Sequence, residues 1–300
     1  MEVKSTPELN HTPVIGVLAQ NFNKPIPKRI SSNPNRSYIV VSYVKYLEAA
    51  GAKVVPIHIN KTEDEYRALF MSINGLLIPG GKKNMLTSHF ARTARLFLEL
   101  AKEANDQGDY FPVWGTCLGF LLMVTVAIGD RVLTATHTKA MALPLTFTEE
   151  AKESRMLKSI PKDTLQALAS EPLTAHNHTY SVDMDTYRKF ESLNSFYRVL
   201  TTNTTDEGIK FFSTIEAYKY PFYASIWHPE KSQFERTKSS EAHSPSAVKA
   251  AQHLGDFFIN EARKSRHSFN SDEEEKKALI NQYTPTDTAD WTIWKEIYFF

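Results

Sequence analysis

The chain has almost no cysteine: Cys117 is the only one in 300 residues. A single thiol excludes an internal disulfide and a zinc cluster held by several thiolates. The chain also has little excess charge, because 35 Lys and Arg residues stand against 34 Asp and Glu residues. A net charge of +1 argues against nucleic-acid binding driven by bulk electrostatic attraction. With 42% hydrophobic residues, the composition is typical of a folded globular protein and excludes a disordered one.

The sequence contains no internal repeat and no linker rich in glycine, proline and serine. We therefore predict one domain over residues 1–300, with an N-terminal extension at 1–12 and a C-terminal tail at 268–300 packed on it. The first 13 residues lack the apolar core of a signal peptide. This favours either a cytoplasmic protein or a mature form whose leader has been removed.

One uncharged stretch, Tyr110–Gly129, has the length of a membrane-spanning helix. Pro112, Gly115 and Gly119 interrupt its first half, however, which favours a buried strand that passes through a turn into a buried helix. We therefore expect no membrane span.

Short apolar runs alternate with helical patterns through the first half of the chain. The predicted strands are Pro13–Gln20, Lys53–Ile59, Gly75–Pro79 and Phe111–Gly115, and the predicted helices are Ser37–Ala50, Thr62–Ile73, Ser88–Asn105 and Leu118–Ile128. Thr62 and Glu65 have the spacing of a capping box. This alternation predicts an α/β fold with a mostly parallel central sheet flanked by helices.

The second half of the chain is richer in strands, which we expect to extend that sheet. The predicted strands are Arg131–Thr136, Ala142–Thr148, Phe196–Thr202, Phe211–Ala217 and Phe222–His228, and the predicted helices are Arg155–Ala169 and Ser246–Arg266.

Cys117 lies in a Gly-x-Cys-x-Gly motif between an apolar strand and an apolar helix. Glycine neighbours allow the sharp turn that exposes a nucleophile above a sheet. The N-terminus of the following helix favours a thiolate, and the backbone N–H of Leu118 would point to the place where an oxyanion forms. The alternative is an inert cysteine buried as a small hydrophobic residue.

A thiolate nucleophile needs a general base that later protonates the leaving group. His228 is the best candidate because it ends a predicted strand, and Glu230 could orient its imidazole. Gly80 and Gly81 follow another strand and could offer a second N–H to the oxyanion. Taken singly, each of these motifs could be an ordinary turn; their combination at three strand ends is far more specific.

Together, these motifs resemble the class I glutamine amidotransferase superfamily and, within it, the γ-glutamyl hydrolases. The similarity runs from about Pro13 to Phe300 and includes the segments Ser42–Pro56, Ser72–Gly81, Gly108–Phe120, Glu171–Ala175, Trp227–Lys231 and Asn260–Lys264. The resemblance implies a flavodoxin-like α/β fold and a hydrolase of folate or antifolate poly-γ-glutamates that works through a thioester. It implies no metal and no organic cofactor.

The resemblance also assigns roles to individual positions. It implies that Cys117 is the nucleophile, that His228 is its acid–base partner and that Glu230 is the third catalytic residue. The oxyanion hole would be formed by Leu118 and the Gly80-Gly81 turn. Tyr43 and His178 fall where the family places substrate-contacting residues; without the resemblance, we would interpret them as a core aromatic residue and a surface histidine.

One position departs from the family pattern. Leu121 stands where the family has an acidic residue that engages the glutamyl head of the substrate. Losing such a buried charged contact costs about 1.5–3 kcal/mol, roughly a ten-fold to a hundred-fold loss of affinity. Two alternatives therefore stay open: a catalytically impaired paralogue that acts as a binding protein, and a glutaminase, for which the chain lacks a synthase domain.

Lysine residues and glycosylation motifs bear on the surroundings of the site. Lys82 and Lys83 could draw an acidic polyglutamate chain toward the site or form an ordinary solvated pair. Asn-x-Ser/Thr triplets, the acceptors of N-linked glycans, begin at Asn10, Asn60, Asn177 and Asn203. By resemblance, we expect a lysosomal or secreted homodimer whose substrate is a small folate polyglutamate and whose partners include neither nucleic acid nor membrane.

Overall fold

The computed structural model describes residues 9–30, 33, 36–128 and 132–300. Its strands are β1 (Val14–Leu18), β2 (Gln20–Asn21), β3 (Ser37–Val40), β4 (Lys53–Ile57), β5 (Gly75–Ile78), β6 (Val113–Thr116), β7 (Thr134–Leu143), β8 (Thr146–Phe147), β9 (Thr174–Ser181), β10 (Tyr197–Thr204), β11 (Lys210–Ala217), β12 (Phe222–Ser225), β13 (Thr286–Asp287) and β14 (Glu296–Phe299). Its α-helices are α1 (Val41–Ala49), α2 (Glu63–Phe70), α3 (His89–Asp106), α4 (Leu118–Ile128), α5 (Lys162–Ser170), α6 (Met184–Lys189), α7 (Glu191–Asn194), α8 (Lys231–Phe234), α9 (Pro245–Ala262) and α10 (Asp272–Ala278).

The central sheet has eight strands in the order β4-β1-β5-β6-β12-β11-β10-β8. The first five strands of this order are parallel, and the last three continue the sheet in antiparallel pairs. This arrangement confirms the predicted fold class, including the strands added by the second half of the chain.

Both faces of the sheet are buried. In β1, Val14 and Leu18 pack on the side of α2, α3 and α4, while Ile15 and Val17 pack on the side of α1, α5 and α9. Since successive side chains of a strand point to opposite faces, a strand covered on both sides must be apolar throughout. This explains why the parallel strands appear in the sequence as continuous apolar runs.

Two smaller sheets stand beside the central one. A four-stranded antiparallel sheet of order β13-β14-β3-β2 joins residues near both ends of the chain, and a two-stranded ribbon pairs β7 with β9. The ribbon contains two register shifts, and His137 and Ala140 there have positive φ angles of 48° and 54°. Bulges of this kind bend a strand and redirect its side chains.

Several element boundaries differ from the sequence-based predictions. The predicted helix Ser37–Ala50 begins with strand β3, because Tyr38 and its neighbours pair with β14 from the other end of the chain. The predicted helix Arg155–Ala169 is split: a 3₁₀ turn at Leu157–Ser159 precedes Pro161, and α5 starts only after that proline. Proline disfavours helical backbone in the residue before it, which explains the break.

The predictions for the second half also need correction at β7, β9 and β12. Strand β7 joins the end of one predicted strand to the start of the next and ends before Pro144, and part of the second predicted strand forms β8 instead; Arg131, the predicted start of the first, lies outside the described residues. Strand β9 was missed because its sequence is largely polar. Strand β12 ends at Ser225, so His228 lies in the following loop. The capping box of Thr62 and Glu65 is confirmed.

Within the described residues, no helix has both the length and the apolar character that crossing a membrane requires. The uncharged stretch of the sequence instead forms β6 and α4, both of them in the core.

Candidate active site

The carboxyl ends of neighbouring parallel strands bring the predicted site residues to one edge of the sheet. Gly80 follows β5, Cys117 follows β6 and His228 follows β12, and these three strands are adjacent. Sites in open α/β sheets form at this edge because the loops after the strands meet there.

Cys117 lies in a strained turn between β6 and α4. Its φ angle is +52°, a left-handed conformation that is uncommon for any residue other than glycine. The turn is fixed from both sides: the Cys117 amide donates to the Ser225 carbonyl at 2.9 Å, and the Leu121 amide donates to the Cys117 carbonyl at 3.0 Å. The residue is 7% exposed, so Cys117 is buried without being fully enclosed.

The glycines beside Cys117 are required by close packing. A Cβ atom on Gly119 would lie 2.0 Å from the carbonyl oxygen of Ile78, and one on Gly115 would lie 2.5 Å from the sulfur of Met123. The two glycines of the Gly-x-Cys-x-Gly motif are therefore needed because α4 packs too closely against β5 and β6 to leave room for a side chain.

His228 connects the sulfur to a buried carboxylate. Its Nδ1 lies 2.7 Å from Oε1 of Glu230, and its ring lies close enough to the Cys117 side chain for that side chain to affect its pKa. Since Nδ1 is engaged by Glu230, we infer that Nε2 is the nitrogen that faces the sulfur. Burial by itself would lower the pKa of His228, but the Glu230 carboxylate and the Cys117 side chain raise it to about 9.

Gly80 lies at the point where these groups meet. A Cβ atom there would lie 2.8 Å from the His228 ring, 2.8 Å from the Tyr43 hydroxyl and 3.1 Å from the Cys117 Cβ. The Gly80 amide donates to the Tyr43 hydroxyl at 2.8 Å. In this structure the Gly80 N–H is therefore bonded to Tyr43, and the role of the Gly80-Gly81 turn in an oxyanion hole stays a prediction.

Two other amides remain without an acceptor, one next to Cys117 in the chain and one next to Gly80. The N–H groups of Leu118 and Gly81 donate no hydrogen bond to any described residue. The side chain of Gln20 supports the turn, since its Nε2 donates to the Gly80 carbonyl at 2.8 Å and its buried Oε1 has no partner among the described residues. Sequence reasoning missed Gln20; its position as a polar residue at the end of an apolar strand was the available signal.

His178 lies in β9 and is buried, not on the surface. Its Nδ1 lies 3.1 Å from the Tyr180 carbonyl, and its Nε2 lies 2.8 Å from the Thr138 hydroxyl and 3.0 Å from Nδ1 of His176. Burial, helped by the nearby charge of His228, lowers the pKa of His178 to about 3. Both ring nitrogens of this neutral histidine are thus held by the protein. His176 was missed by the sequence analysis.

Leu121 lies one helical turn beyond Cys117 and is 7% exposed, whereas its neighbours Phe120 and Leu122 are fully buried. It therefore lies on the face of α4 that carries the thiol, and it contributes an apolar surface there.

The four candidate glycosylation residues differ in exposure. Asn60 is exposed, and Asn10 is half-buried with its amide nitrogen on Asn74. Asn177 is half-buried and, by strand alternation, points to the opposite face of the ribbon from His178. Asn203 is buried and donates to the Pro144 carbonyl at 2.7 Å, so the fold leaves no room for a glycan there and that candidate is withdrawn.

The structure is similar to a solved glutaminase domain. The glutaminase domain of Trypanosoma brucei CTPS with bound acivicin superimposes with a TM-score of 0.54, covering 85% of this chain and 95% of that one at 16% identity. At this level of identity the similarity concerns the fold.

The sequence matches a family model and curated relatives over most of its length. The model of peptidase C26 matches residues 13–230. The chain is 46% identical to γ-glutamyl hydrolase of Homo sapiens over 289 residues, covering 96% of this chain and 89% of that protein. It is 41% identical to γ-glutamyl hydrolase B of Dictyostelium discoideum over 295 residues, covering 97% and 84%. The chain therefore belongs to the peptidase C26 family, together with the γ-glutamyl hydrolases that it resembles.

Proposed function

We propose that this protein hydrolyses the γ-glutamyl bonds of folate and antifolate poly-γ-glutamates through a thioester on Cys117. As a member of its family the chain is a γ-glutamyl hydrolase, and the folate polyglutamate substrate and the roles of individual residues are our proposal. The observation that carries these roles is the position of Cys117, in a strained strand-to-helix turn, close to a His228 ring that is hydrogen-bonded to Glu230.

The first half of the reaction transfers the glutamyl group to the enzyme. The Cys117 thiolate attacks the γ-carbonyl carbon of the scissile amide, and the carbonyl electron pair moves onto oxygen. His228, protonated at neutral pH because its pKa is about 9, gives its proton to the leaving amine as the C–N bond breaks. The glutamate or oligo-γ-glutamate that carries the amine leaves, and the rest of the substrate remains on Cys117 as a thioester.

The second half regenerates the enzyme. His228, now neutral, takes a proton from a water molecule while the water oxygen attacks the thioester carbonyl. The C–S bond breaks, the γ-carboxylic acid departs, and the proton held by His228 re-forms the thiolate–imidazolium pair. Glu230 accepts a hydrogen bond from Nδ1 in both halves and keeps the imidazole oriented.

The oxyanion of each tetrahedral intermediate is stabilised by the amides of Leu118 and Gly81. Leu118 directly follows Cys117 and Gly81 directly follows Gly80, and neither N–H has an acceptor among the described residues, whereas the Gly80 amide is bonded to Tyr43. Tyr43 therefore positions the glycine turn and the His228 ring instead of binding the oxyanion. The nitrogens of His178 are already bonded, so we expect from the family resemblance that it contacts the substrate with its ring.

Incubation with folate pentaglutamate tests the function. The parent protein is expected to shorten the chain, and Cys117→Ala, which removes only the sulfur, is expected to abolish turnover while it preserves the fold. Mass spectrometry of the product ladder reads out chain length, and trapping by acid shows the thioester as a mass increase on the peptide that contains Cys117.

Leu121 gives weight to one alternative, a catalytically impaired paralogue that binds γ-glutamyl compounds without cleaving them. The same incubation separates the two possibilities: a parent protein that binds the pentaglutamate but leaves its length unchanged would establish the alternative. The glutaminase alternative predicts ammonia release from free glutamine, which a coupled assay measures.

We further propose, from the family resemblance, that the protein is a homodimer in the lysosome or in secretions. Analytical ultracentrifugation measures the first property, and fractionation of the producing cells measures the second.

A further inference from the structure

Two segments of the sequence carry positive charge and no negative charge. Residues 9–47 and residues 66–98 contain no Asp or Glu, although the chain has 34 of them, and each segment contains five Lys or Arg residues. In a protein of net charge +1, such an uneven distribution concentrates positive potential where the two segments meet.

The structure brings these segments together next to the candidate active site. The Asn23 side chain donates to the Lys82 carbonyl at 2.7 Å, and the Lys83 ammonium donates to the Asn23 side-chain oxygen at 2.8 Å. Lys83 is three residues beyond Gly80, so its backbone lies within about 11 Å of the turn that contacts Cys117 and His228.

Lys82 and Lys83 differ from many other lysines of the protein in their partners. Exposed lysines elsewhere pair with carboxylates, as Lys45 does with Glu296 and Lys61 with Glu65. Among the described residues, neither Lys82 nor Lys83 has a carboxylate within ion-pair distance. Lys83 is half-buried, and this burial lowers the pKa of its ammonium group. The Lys83 ammonium is partly desolvated and its partner is a neutral amide. An anion that binds there therefore stabilises it more than it would stabilise a fully hydrated ammonium.

A poly-γ-glutamate chain has the matching chemistry. Its amide bonds use the γ-carboxyl groups, so each residue keeps a free α-carboxylate, and these charges flank every scissile bond. We propose that Lys82 and Lys83, with Lys83 held by Asn23, form a subsite that binds α-carboxylates next to the scissile bond. This inference rests on the proposed function, since the polyglutamate chain supplies the ligand.

Binding of folate pentaglutamate to the Cys117→Ala protein tests the subsite without turnover. Adding Lys82→Gln and Lys83→Gln is expected to weaken binding about ten-fold at low salt, as measured by titration calorimetry. The arginine pair Lys82→Arg and Lys83→Arg retains the charge and is expected to retain most of the affinity. Added salt should weaken pentaglutamate binding by the Cys117→Ala protein more than by its glutamine variant. The variant no longer has the lysine–carboxylate attraction that salt screens.

Lys276 and Lys277 provide a matched control. They are adjacent and exposed in α10. Glu275 of the same helix pairs with Lys53 at the amino end of β4, whereas the candidate site lies at the carboxyl ends of the strands. Replacing both with glutamine changes the net charge equally and should leave pentaglutamate affinity unchanged. Equal affinity in the Lys82/Lys83 variant and this control, or equal losses in both, would overturn the subsite. Failure of the parent protein to shorten the pentaglutamate contradicts the proposed function separately.

Discussion

The Tyr43 hydroxyl accepts a hydrogen bond from the Gly80 amide at 2.8 Å, and the same oxygen lies 3.4 Å from Nδ1 of His228. One phenol thus connects the glycine turn after β5 with the histidine after β12. Both groups are buried, so the bond fixes their separation where the reacting carbonyl must fit. The contact occupies the Gly80 amide, whereas the amides of Leu118 and Gly81 have no acceptor among the described residues.

Replacing Tyr43 with phenylalanine removes the hydroxyl and leaves the ring. Because the buried Gly80 amide loses its acceptor, we expect a loss of about 1–2 kcal/mol in stability, measured by urea unfolding. The His228 ring also loses a contact, so kcat should fall while the Cys117 sulfur stays reactive toward iodoacetamide. A rise in kcat would show instead that Gly80, once released from Tyr43, donates to the oxyanion.

We expect Glu230 to set the upper pH limit of activity through its effect on His228. It raises the pKa of His228 to about 9, so the alkaline limb of kcat/KM should fall near that pH. Glu230→Gln removes the negative charge that raises the pKa of His228, while burial continues to lower that pKa. The alkaline limb should therefore move to lower pH. A pH–rate profile of both proteins measures the shift; identical limbs would exclude His228 as the titrating acid.

The same pKa has a consequence for stability. The folded-state pKa of His228 lies above the ordinary histidine value of 6.5, so its charged form stabilises the fold fully below about pH 6.5. That contribution is lost as the pH rises through about 9. Thermal unfolding of the parent should therefore show decreasing stability over this range, and His228→Asn should show a flatter dependence.

Lys231 and Glu241 form a buried ion pair behind the catalytic loop. Nζ of Lys231 lies 3.5 Å from Oε1 of Glu241, and their side chains are 4% and 0% exposed. Glu241→Gln leaves the Lys231 charge without this partner, which should destabilise the protein by about 3–5 kcal/mol. Since Lys231 already lowers the pKa of His228, the alkaline limb should also move to lower pH. Glu99→Gln, an exposed change of the same kind, should alter stability by less than about 0.5 kcal/mol.

Gly119 determines how closely α4 packs against β5. A methyl group there would lie 2.0 Å from the Ile78 carbonyl oxygen and 2.8 Å from its carbon, so the helix and the strand would have to separate. We expect Gly119→Ala to destabilise the protein by about 3 kcal/mol or more. Gly208 is a suitable control: its φ is +84°, but nothing lies within 4 Å of the position that a Cβ atom would take there. Gly208→Ala should cost only about 1 kcal/mol, from backbone strain alone.

Leu121 presents an apolar surface one turn from the thiol. Leu121→Glu places a carboxylate where the resemblance implies a contact with the glutamyl head of the substrate. We expect KM for folate pentaglutamate to fall about ten-fold, with some loss of stability because the position is buried. Leu121→Gln adds polarity without charge and should give a smaller gain. A higher KM in the glutamate variant would show that the pocket is built around the leucine.

The sequence alone determined the parallel half of the sheet and the position of the thiol. Continuous apolar runs identify strands buried on both faces, and the glycines around Cys117 identify a turn that tolerates no side chain. These signals are local in the chain: periodicity, caps and turn residues act over a few residues and can be recognised without knowing the neighbours. The pairing of His228 with Glu230 could also be predicted, because a single residue separates them in sequence.

Tertiary structure alone decided the features that depend on distant partners. Ser37–Val40 forms a strand because β14, some 260 residues away, supplies its hydrogen bonds. The sequence motif marks Asn203 as a possible acceptor of a glycan, but in the sheet its side chain is buried and bonded to the Pro144 carbonyl. The sequence gives no acceptor for the Gly80 amide, but in the structure this amide donates to the Tyr43 hydroxyl. Each of these outcomes depends on hydrogen bonds between segments far apart in sequence, and only folding reveals which polar groups they satisfy.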